Sequence, residues 1–251
     1  RYTFRFKLII CLVLALLGGG LFYLGGPTLI GLYLTGDGDA AMAAGALEYG
    51  MKYLTVMLWG FLPFALTNVY ASTMKECGNT FVPMVGGIAA VLVNLGLNYV
   101  LIFGHFGAPA MGVEGAALAT VISRYAELLI VAGWVHRNTE KNPYIVGAYR
   151  SLYLPGRLLK SIIVKGMPLL VNEALWSCGM AFLNQCYSTC GLDVVPAMNI
   201  SNTLFNLASV VFLSLGNAVG ILMGQLLGSN TTVEEVHSTN RKLLALSVGS
   251  G

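Results

Sequence analysis

Residues 80–124 read TFVPMVGGIAAVLVNLGLNYVLIFGHFGAPAMGVEGAALATVISR. Two apolar runs, at about residues 82–103 and 113–135, each approach the ~20 residues that a helix needs to cross a bilayer. The Gly/Pro-rich link between them, GHFGAPAMGVEG, interrupts the helical pattern. The segment therefore predicts two membrane-spanning helices joined by a short hinge.

Two amides lie inside the first apolar run. Asn94 and Asn98 are four residues apart, so they share one face of a helix. An amide without a hydrogen-bond partner is costly in hydrocarbon, so we expect this face to point at protein or at water. The second run begins with small residues, which let two helix backbones approach closely. The sequence thus predicts a tightly packed helix pair that carries polar groups.

Composition sets the class of the protein. Apolar residues make up 56% of the 251 residues and charged residues only 10%, against roughly 25% charged in a soluble domain. The mean hydropathy of +0.74 indicates several membrane-embedded segments. A net charge of +3 is too small and too dispersed to indicate a nucleic-acid partner. We therefore expect an all-α, polytopic membrane protein, a helical bundle whose surroundings are a lipid bilayer.

Length and apolarity predict six complete spans and the start of a seventh near Leu243. The six lie at about residues 8–34, 53–74, 82–103, 113–135, 167–190 and 194–227. Twelve of the 14 Lys and Arg residues fall in one alternating set of loops. Because Lys and Arg gather on the cytoplasmic side, the loops at Lys75, at 136–165 and at Arg241 are predicted to be cytoplasmic. The expected location is the plasma (inner) membrane.

A set of short motifs gives the chain a family resemblance. They are Asn94-Leu-Gly-Leu-Asn98, Ile102-Phe103-Gly104, Gly107-Ala108-Pro109 and Gly112-Val113-Glu114-Gly115-Ala116-Ala117, followed later by Lys165-Gly166-Met167-Pro168 and Gly224-Gln225-x-x-Gly228. Together they resemble the multidrug and toxic compound extrusion (MATE) transporters. The resemblance implies a two-lobe fold of twelve helices, of which this chain is similar to the third to the eighth.

The same resemblance implies a division of the chain. Residues 1–135 would supply the last four helices of the first lobe, and residues 136–165 a cytoplasmic linker between the lobes. Residues 166–251 would supply the first two helices of the second lobe and the start of a third.

Two polar stripes are predicted on the last two complete spans. At about 100° per residue, Glu173, Ser177, Asn184 and Ser188 fall within about 60° of arc on the fifth span, and Asn172 lies beside Glu173. On the sixth span an arc of about 80° contains Asn199, Asn202, Asn206, Ser209 and Asn217. Two such stripes favour a water-accessible cavity that binds substrate or ion. The alternative is that the amides only bond one helix to another.

Two acidic residues lie well inside predicted spans. Glu127 is three residues after Arg124, so we expect the two to form a structural ion pair. Glu173 has no basic residue within one helical turn, and a lone carboxylate in a membrane is a functional candidate by default. The alternative role for Glu173 is structural, as a protonated or cross-helix-bonded side chain. Glu173 is therefore predicted to be the main ligand of a coupling ion or cationic substrate, with Asn94 and Asn98 as further candidates.

The sequence shows no catalytic triad, phosphate-binding loop or metal-binding spacing, so we expect no enzyme activity, no cofactor and no metal site. The resemblance implies a monomeric antiporter that exports amphipathic, cationic small molecules in exchange for Na⁺ or H⁺. Two alternatives remain open. One is a lipid-linked oligosaccharide flippase of the same broad superfamily, and the other is a membrane scaffold that transports nothing.

Overall fold

The structure is a computed structural model, and it describes residues 1–32, 40–151, 153–190, 194–229 and 233–250. Within these residues the chain is helical and forms no strand. Its seven helices are α1 (Tyr2–Gly31), α2 (Ala40–Glu76), α3 (Phe81–Phe103), α4 (Val113–Arg137), α5 (Gly156–Ser188), α6 (Val194–Gly228) and α7 (Val233–Ser250). The predicted all-α class is confirmed.

Five helices of the described residues, α1 to α4 and α6, are long and apolar enough to cross a membrane. The chain is therefore a multi-pass helical membrane protein. The span predicted at 167–190 does form a helix, α5, but α5 is not among the five. Asn172, Glu173 and Asn184 lower its hydropathy, so composition alone does not identify it as a span.

Several predicted helix ends differ from the observed ones. Helices α1, α2 and α5 begin 6, 13 and 11 residues earlier than the spans predicted at 8–34, 53–74 and 167–190. A helix continues beyond the hydrocarbon as long as its backbone hydrogen bonds are maintained, whereas apolarity marks only the part inside it. The start of α5 at Gly156 means that the end of the predicted 136–165 linker is helical. Residues 33 and 34, at the end of the first predicted span, lie outside the described residues.

The chain divides into two compact units, Arg1–Leu192 and Asp193–Gly251. In the first unit α1 packs on α2, α2 on α4, and α4 on α3. Its buried core lies at one end of these helices, where Phe4, Val69, Met74, Val131 and Val135 are in contact. The second unit contains α6 and α7, which contact each other. The predicted division into two lobes remains a prediction for the whole protein.

Arg5 joins the first helix to the segment that follows α4. Its guanidinium donates hydrogen bonds to the carbonyls of Ala148 (2.7 Å), Gly147 (2.7 Å) and Tyr153 (3.4 Å). Arg5 is only 9% exposed, so its charge is balanced by these carbonyl dipoles. The beginning of the predicted linker is therefore folded onto the base of the bundle.

Aromatic packing closes the same end of the bundle. The ring of Phe4 lies 5.4 Å from that of Tyr70 and 5.5 Å from that of Tyr144. Burial raises the pKa of Tyr144, which follows α4 in the chain, to about 12. The hydroxyl of Tyr144 is buried and has no hydrogen-bond partner among the described residues. The base of the bundle is thus packed closely enough to exclude most solvent.

Two glycines allow α3 and α4 to approach each other closely. A Cβ atom on Gly115 would lie 2.6 Å from the backbone oxygen of Leu101, and one on Gly86 would lie 2.8 Å from Cγ2 of Val131. The first contact is with backbone, which cannot move aside without shifting a helix. This agrees with the expectation that small residues let the two helices pack tightly.

We predict that Gly115→Ala lowers the stability of the complete protein by about 1–3 kcal/mol, because the added methyl group overpacks the α3–α4 contact. The measurement is the thermal unfolding midpoint of the purified protein in detergent. Gly96→Ala is the matched control, since a Cβ at Gly96 has no heavy atom within 4 Å. Equal midpoints for the two variants would contradict the close approach of the helices.

Candidate functional site

A chain of hydrogen bonds connects α3 to α4 inside the predicted spans. Asn98 Nδ2 donates to Asn94 Oδ1 at 3.0 Å, and Asn94 Nδ2 donates to Thr120 Oγ1 at 3.2 Å. The Thr120 hydroxyl donates in turn to the carbonyl of Ala116 at 3.0 Å. The two asparagines therefore share a helix face, as their spacing predicts, and that face points at α4.

The carbonyl of Ala116 fixes which groups donate and which accept in this chain of hydrogen bonds. A backbone carbonyl only accepts hydrogen bonds, so the Thr120 hydroxyl must use its proton on Ala116 and accept from Asn94. Asn94 then has its oxygen left to accept from Asn98. The last group in the network is Asn98 Oδ1, which is buried and has no partner among the described residues. A buried acceptor of this kind calls for a donor, such as water or a protonated carboxyl, or for a cation.

Thr120 was not among the residues predicted for the site. It lies on the small-residue face of α4, four residues after Ala116. Thr hydroxyls within helices commonly donate a hydrogen bond to the carbonyl four residues earlier. The sequence therefore does not reveal that the same hydroxyl also accepts a hydrogen bond from another helix. The available signal was a hydroxyl on the face of α4 that was expected to pack against α3.

The Arg124–Glu127 pair is present in the structure. Arg124 Nη1 lies 2.9 Å from Glu127 Oε2, and the Glu127 side chain is only 15% exposed. The Arg124 guanidinium also lies 5.3 Å from the centre of the Phe64 ring on α2, a distance suited to a cation–π contact. The two charges neutralise each other, so this part of α4 contributes no net charge.

A small cavity connects this ion pair to the amide network. Its volume is about 250 Å³, and residues of both α2 and α4 line it, among them Phe61, Phe64, Thr120 and Arg124. Its walls are mainly apolar, and Thr120 belongs both to the cavity and to the hydrogen-bond network. The α2–α3–α4 region thus brings Asn94, Asn98, Thr120 and the Arg124–Glu127 pair together.

The predicted stripe on α5 belongs to the first compact unit. Asn172, Glu173 and Ser177 are exposed, and Asn184 is half-buried. Ser188 is buried and donates a hydrogen bond to the carbonyl of Gln185 at 2.7 Å. Within this unit, Glu173 makes no hydrogen bond or ion pair with a described residue. Its carboxylate is therefore available to a ligand.

The predicted stripe on α6 belongs to the second compact unit. Helix α6 runs without interruption from Val194 to Gly228, so Asn199, Asn202 and Asn206 lie on one face, as predicted. Asn199 and Asn206 are exposed, whereas Asn202 is half-buried. Their side-chain amides are available on an otherwise apolar helix.

Comparison with known proteins adds independent information. A family model described as MatE matches residues 1–100. The chain is 29% identical to a probable multidrug resistance protein NorM of Shewanella oneidensis, over 78% of this chain and 42% of that protein. It is 28% identical to a probable multidrug resistance protein YoeA of Bacillus subtilis, over 91% of this chain and 47% of that protein.

A third relative, multidrug resistance protein MdtK of Klebsiella pneumoniae, is 28% identical over 74% of this chain and 41% of its own length. The chain therefore spans less than half the length of these relatives. No solved structure gives a significant match to the chain.

We predict that Asn98→Asp makes the stability of the complete protein depend on pH. The carboxyl group would be buried, and only its protonated form can donate to Asn94 Oδ1, so the folded state should favour the protonated form. A preference of the folded state for the protonated form gives stability that is present at acid pH and lost as the pH rises. The thermal unfolding midpoint in detergent should therefore decrease as the pH is raised from about 5 to about 8.

Asn79→Asp is the matched control for this prediction. Asn79 Oδ1 accepts a hydrogen bond from the Val82 amide at the start of α3, where a carboxylate is favoured. This variant should show no loss of stability towards neutral pH. A flat profile for a folded Asn98→Asp protein would contradict the buried position of the network.

Proposed function

We propose that the chain belongs to the MatE (multidrug and toxic compound extrusion) family and that the complete protein is a secondary active efflux transporter. It exports amphipathic, cationic small molecules in exchange for Na⁺ or H⁺ by alternating access between two lobes. Its relatives are named multidrug resistance proteins, which supports small-molecule drugs as substrates.

One observation carries the proposal. The Asn94–Asn98–Thr120 network lies within membrane-spanning helices and ends on a buried acceptor oxygen that no described residue satisfies. Amides that served only to bond α3 to α4 would not need a free acceptor at the end of the network. A membrane scaffold that transports nothing gives no reason for such an oxygen, whereas a transporter that moves ions or water past α3 does.

In this proposal the coupling ion and the cationic substrate compete for the carboxylate of Glu173. Its carboxylate, with the amide of Asn172 and the hydroxyl of Ser177 nearby on α5, offers the hard oxygen ligands that suit a proton, Na⁺ or an organic cation. When the coupling ion occupies the carboxylate, the cationic substrate is released, and the reverse exchange completes the cycle. One elementary charge that crosses 100 mV supplies about 2.3 kcal/mol, which is enough to shift such an exchange by well over tenfold.

We further propose that the basic end of the first unit faces the cytoplasm. Lys7 lies 2.6 Å from Glu76, and Arg5 contacts Gly147 and Ala148. The basic segments around residues 1–7, 75 and 137–150 thus share one end of the bundle. Lys and Arg of short loops gather on the cytoplasmic side of membranes, here the plasma (inner) membrane.

The flippase alternative finds less support. An anionic oligosaccharide carried on a lipid would need several unpaired cations inside the spans. Arg124, the basic residue within the predicted spans, is neutralised by Glu127. We therefore retain the export of cationic compounds, by a monomer, as the proposal.

The proposal is tested by transport in sealed vesicles that contain the complete protein and no ATP. A fluorescent lipophilic cation should move against its gradient when a Na⁺ or H⁺ gradient is imposed. Glu173→Gln keeps the shape of the side chain and removes its charge, so it should abolish this movement without loss of expression. Glu140→Gln, which changes an exposed acid after α4, is the matched control and should transport normally.

The outcomes separate the function from the site. If the unaltered protein moves no cation under either gradient, the proposed function is wrong. If the unaltered protein and Glu173→Gln transport equally well, the function stands and Glu173 is a structural residue.

A further inference from the structure

A groove of about 730 Å³ lies between the beginning of α3 and the end of α4. Its walls are largely apolar and include Phe81, Val85, Leu129 and Trp134. Phe81 is 67% exposed and Leu129 72% exposed, so the groove opens onto the apolar outer surface of the bundle. Its volume falls within the range of roughly 300–1,000 Å³ that is typical of ligand pockets.

One end of the groove is cationic. Arg137 lines it in the last turn of α4, and this side chain makes no hydrogen bond or ion pair within the part of the chain that the structure describes. The other described Arg residues in the helices of the first unit include Arg5, which is bound to three carbonyls, and Arg124, which is paired with Glu127. Arg137 is therefore a guanidinium with its donors unused, located where an apolar surface ends.

The position of Arg137 corresponds to a membrane boundary. Helix α4 ends at Arg137, and the polar segment that follows is folded onto the base of the bundle beside Arg5. Trp134 lies one turn earlier on the groove wall, and Trp is enriched at the level of lipid headgroups. The groove thus has apolar walls on the hydrocarbon side, an aromatic residue at the interface and a cation on the aqueous side.

We propose that this groove binds an anionic phospholipid from the leaflet at the basic end of the bundle. An acyl chain lies along Val85 and Leu129, and the phosphate of the headgroup accepts hydrogen bonds from Arg137. A guanidinium presents two parallel donors to a phosphate, which makes it a strong partner for that group. Basic pockets between membrane helices on the cytoplasmic side are suited to such headgroups.

Charge complementarity favours an anionic phospholipid in the groove over a neutral phospholipid or a further helix of the protein. A neutral phospholipid carries its own cation, which would compete with Arg137 for the phosphate. A further helix of the complete protein would fill the apolar walls, but it would also have to supply an acid to Arg137 at the membrane boundary. An anionic lipid satisfies both ends of the groove with one molecule.

Gly133 keeps the groove open. It lines the groove, and a Cβ atom at Gly133 would have no heavy atom within 4 Å. A larger side chain at this position would therefore fill the groove without disturbing the packing of α4. Gly96 has equally open surroundings but does not line the groove, so it provides a matched control.

Trp134 reports directly on the groove. The experiment uses the complete protein with every tryptophan except Trp134 replaced by phenylalanine, in vesicles of phosphatidylcholine. A minor fraction of the lipid is brominated, as phosphatidylglycerol in one preparation and as phosphatidylcholine in the other, and bromine quenches the fluorescence of a tryptophan that it contacts. We expect brominated phosphatidylglycerol to compete for the groove with a roughly fivefold preference, the ratio expected from one basic residue at a membrane surface.

Five variants test where the preference originates. Arg137→Gln should remove the preference for phosphatidylglycerol, and Arg137→Lys should keep most of it. Lys141→Gln removes one exposed positive charge near the same end without touching the groove, so it should leave the preference unchanged. Gly133→Leu should reduce quenching by both lipids, whereas Gly96→Leu should not.

Three results would overturn the proposal. Equal quenching by the two brominated lipids would mean that Trp134 contacts ordinary surrounding lipid. No quenching by either would mean that another part of the complete protein covers the groove. A preference that survives in a folded Arg137→Gln protein would mean that the charge arises elsewhere.

Discussion

The structure depends on one constraint, namely that polar groups inside hydrocarbon must find their partners within the protein. Several charged side chains of the first unit follow it, inside the predicted spans and at the end of the bundle. Arg5 is bound by three carbonyls, Lys7 by Glu76, and Arg124 by Glu127. The contacts of Arg5 and Lys7 join parts of the chain that are distant in sequence, whereas the Arg124–Glu127 pair lies within α4.

One amide oxygen of the first unit, Asn98 Oδ1, does not satisfy this constraint within the part of the chain that the structure describes. Asn98 Oδ1 is buried at the end of a network whose direction is set by the carbonyl of Ala116, and no described residue donates to it. An acceptor in that position is a cost to stability unless something occupies it during function. Glu173 is a second group without a partner in its own unit, and it carries a charge. The transport proposal rests on these two groups.

The sequence pattern predicts the bounds of a helix well where Gly and Pro residues end it abruptly. Helices α3 and α4 agree with the predicted spans to within two residues, because Gly and Pro residues interrupt the chain on the hinge side of each. The starts of α1, α2 and α5 were missed because their helices continue into polar sequence. Arg5 lies in α1 but precedes the span predicted to begin at residue 8, and its partner Ala148 lies 143 residues away, beyond any local signal.

The candidate site shows the same limit. Spacing along one helix was sufficient to predict that Asn94 and Asn98 share a face and that Arg124 lies beside Glu127. Thr120 required knowledge of which face of α4 meets α3, and the free acceptor on Asn98 required the direction of every hydrogen bond. The stripes on α5 and α6 follow from helical periodicity, whereas their partners depend on how the complete protein is assembled.

We propose that the ion and the substrate move in one coupled process in the complete protein. Coupling of this kind is reciprocal, so a substrate gradient must be able to drive the ion. The measurement uses vesicles with equal pH and equal Na⁺ on both sides, a trapped indicator for each ion, and a gradient of a lipophilic organic cation imposed at time zero. We expect H⁺ or Na⁺ to move in the direction opposite to the organic cation, and this movement should stop when the organic-cation gradient is spent. Dissipation of the organic-cation gradient through the protein with no movement of either ion would show that the two movements are not coupled.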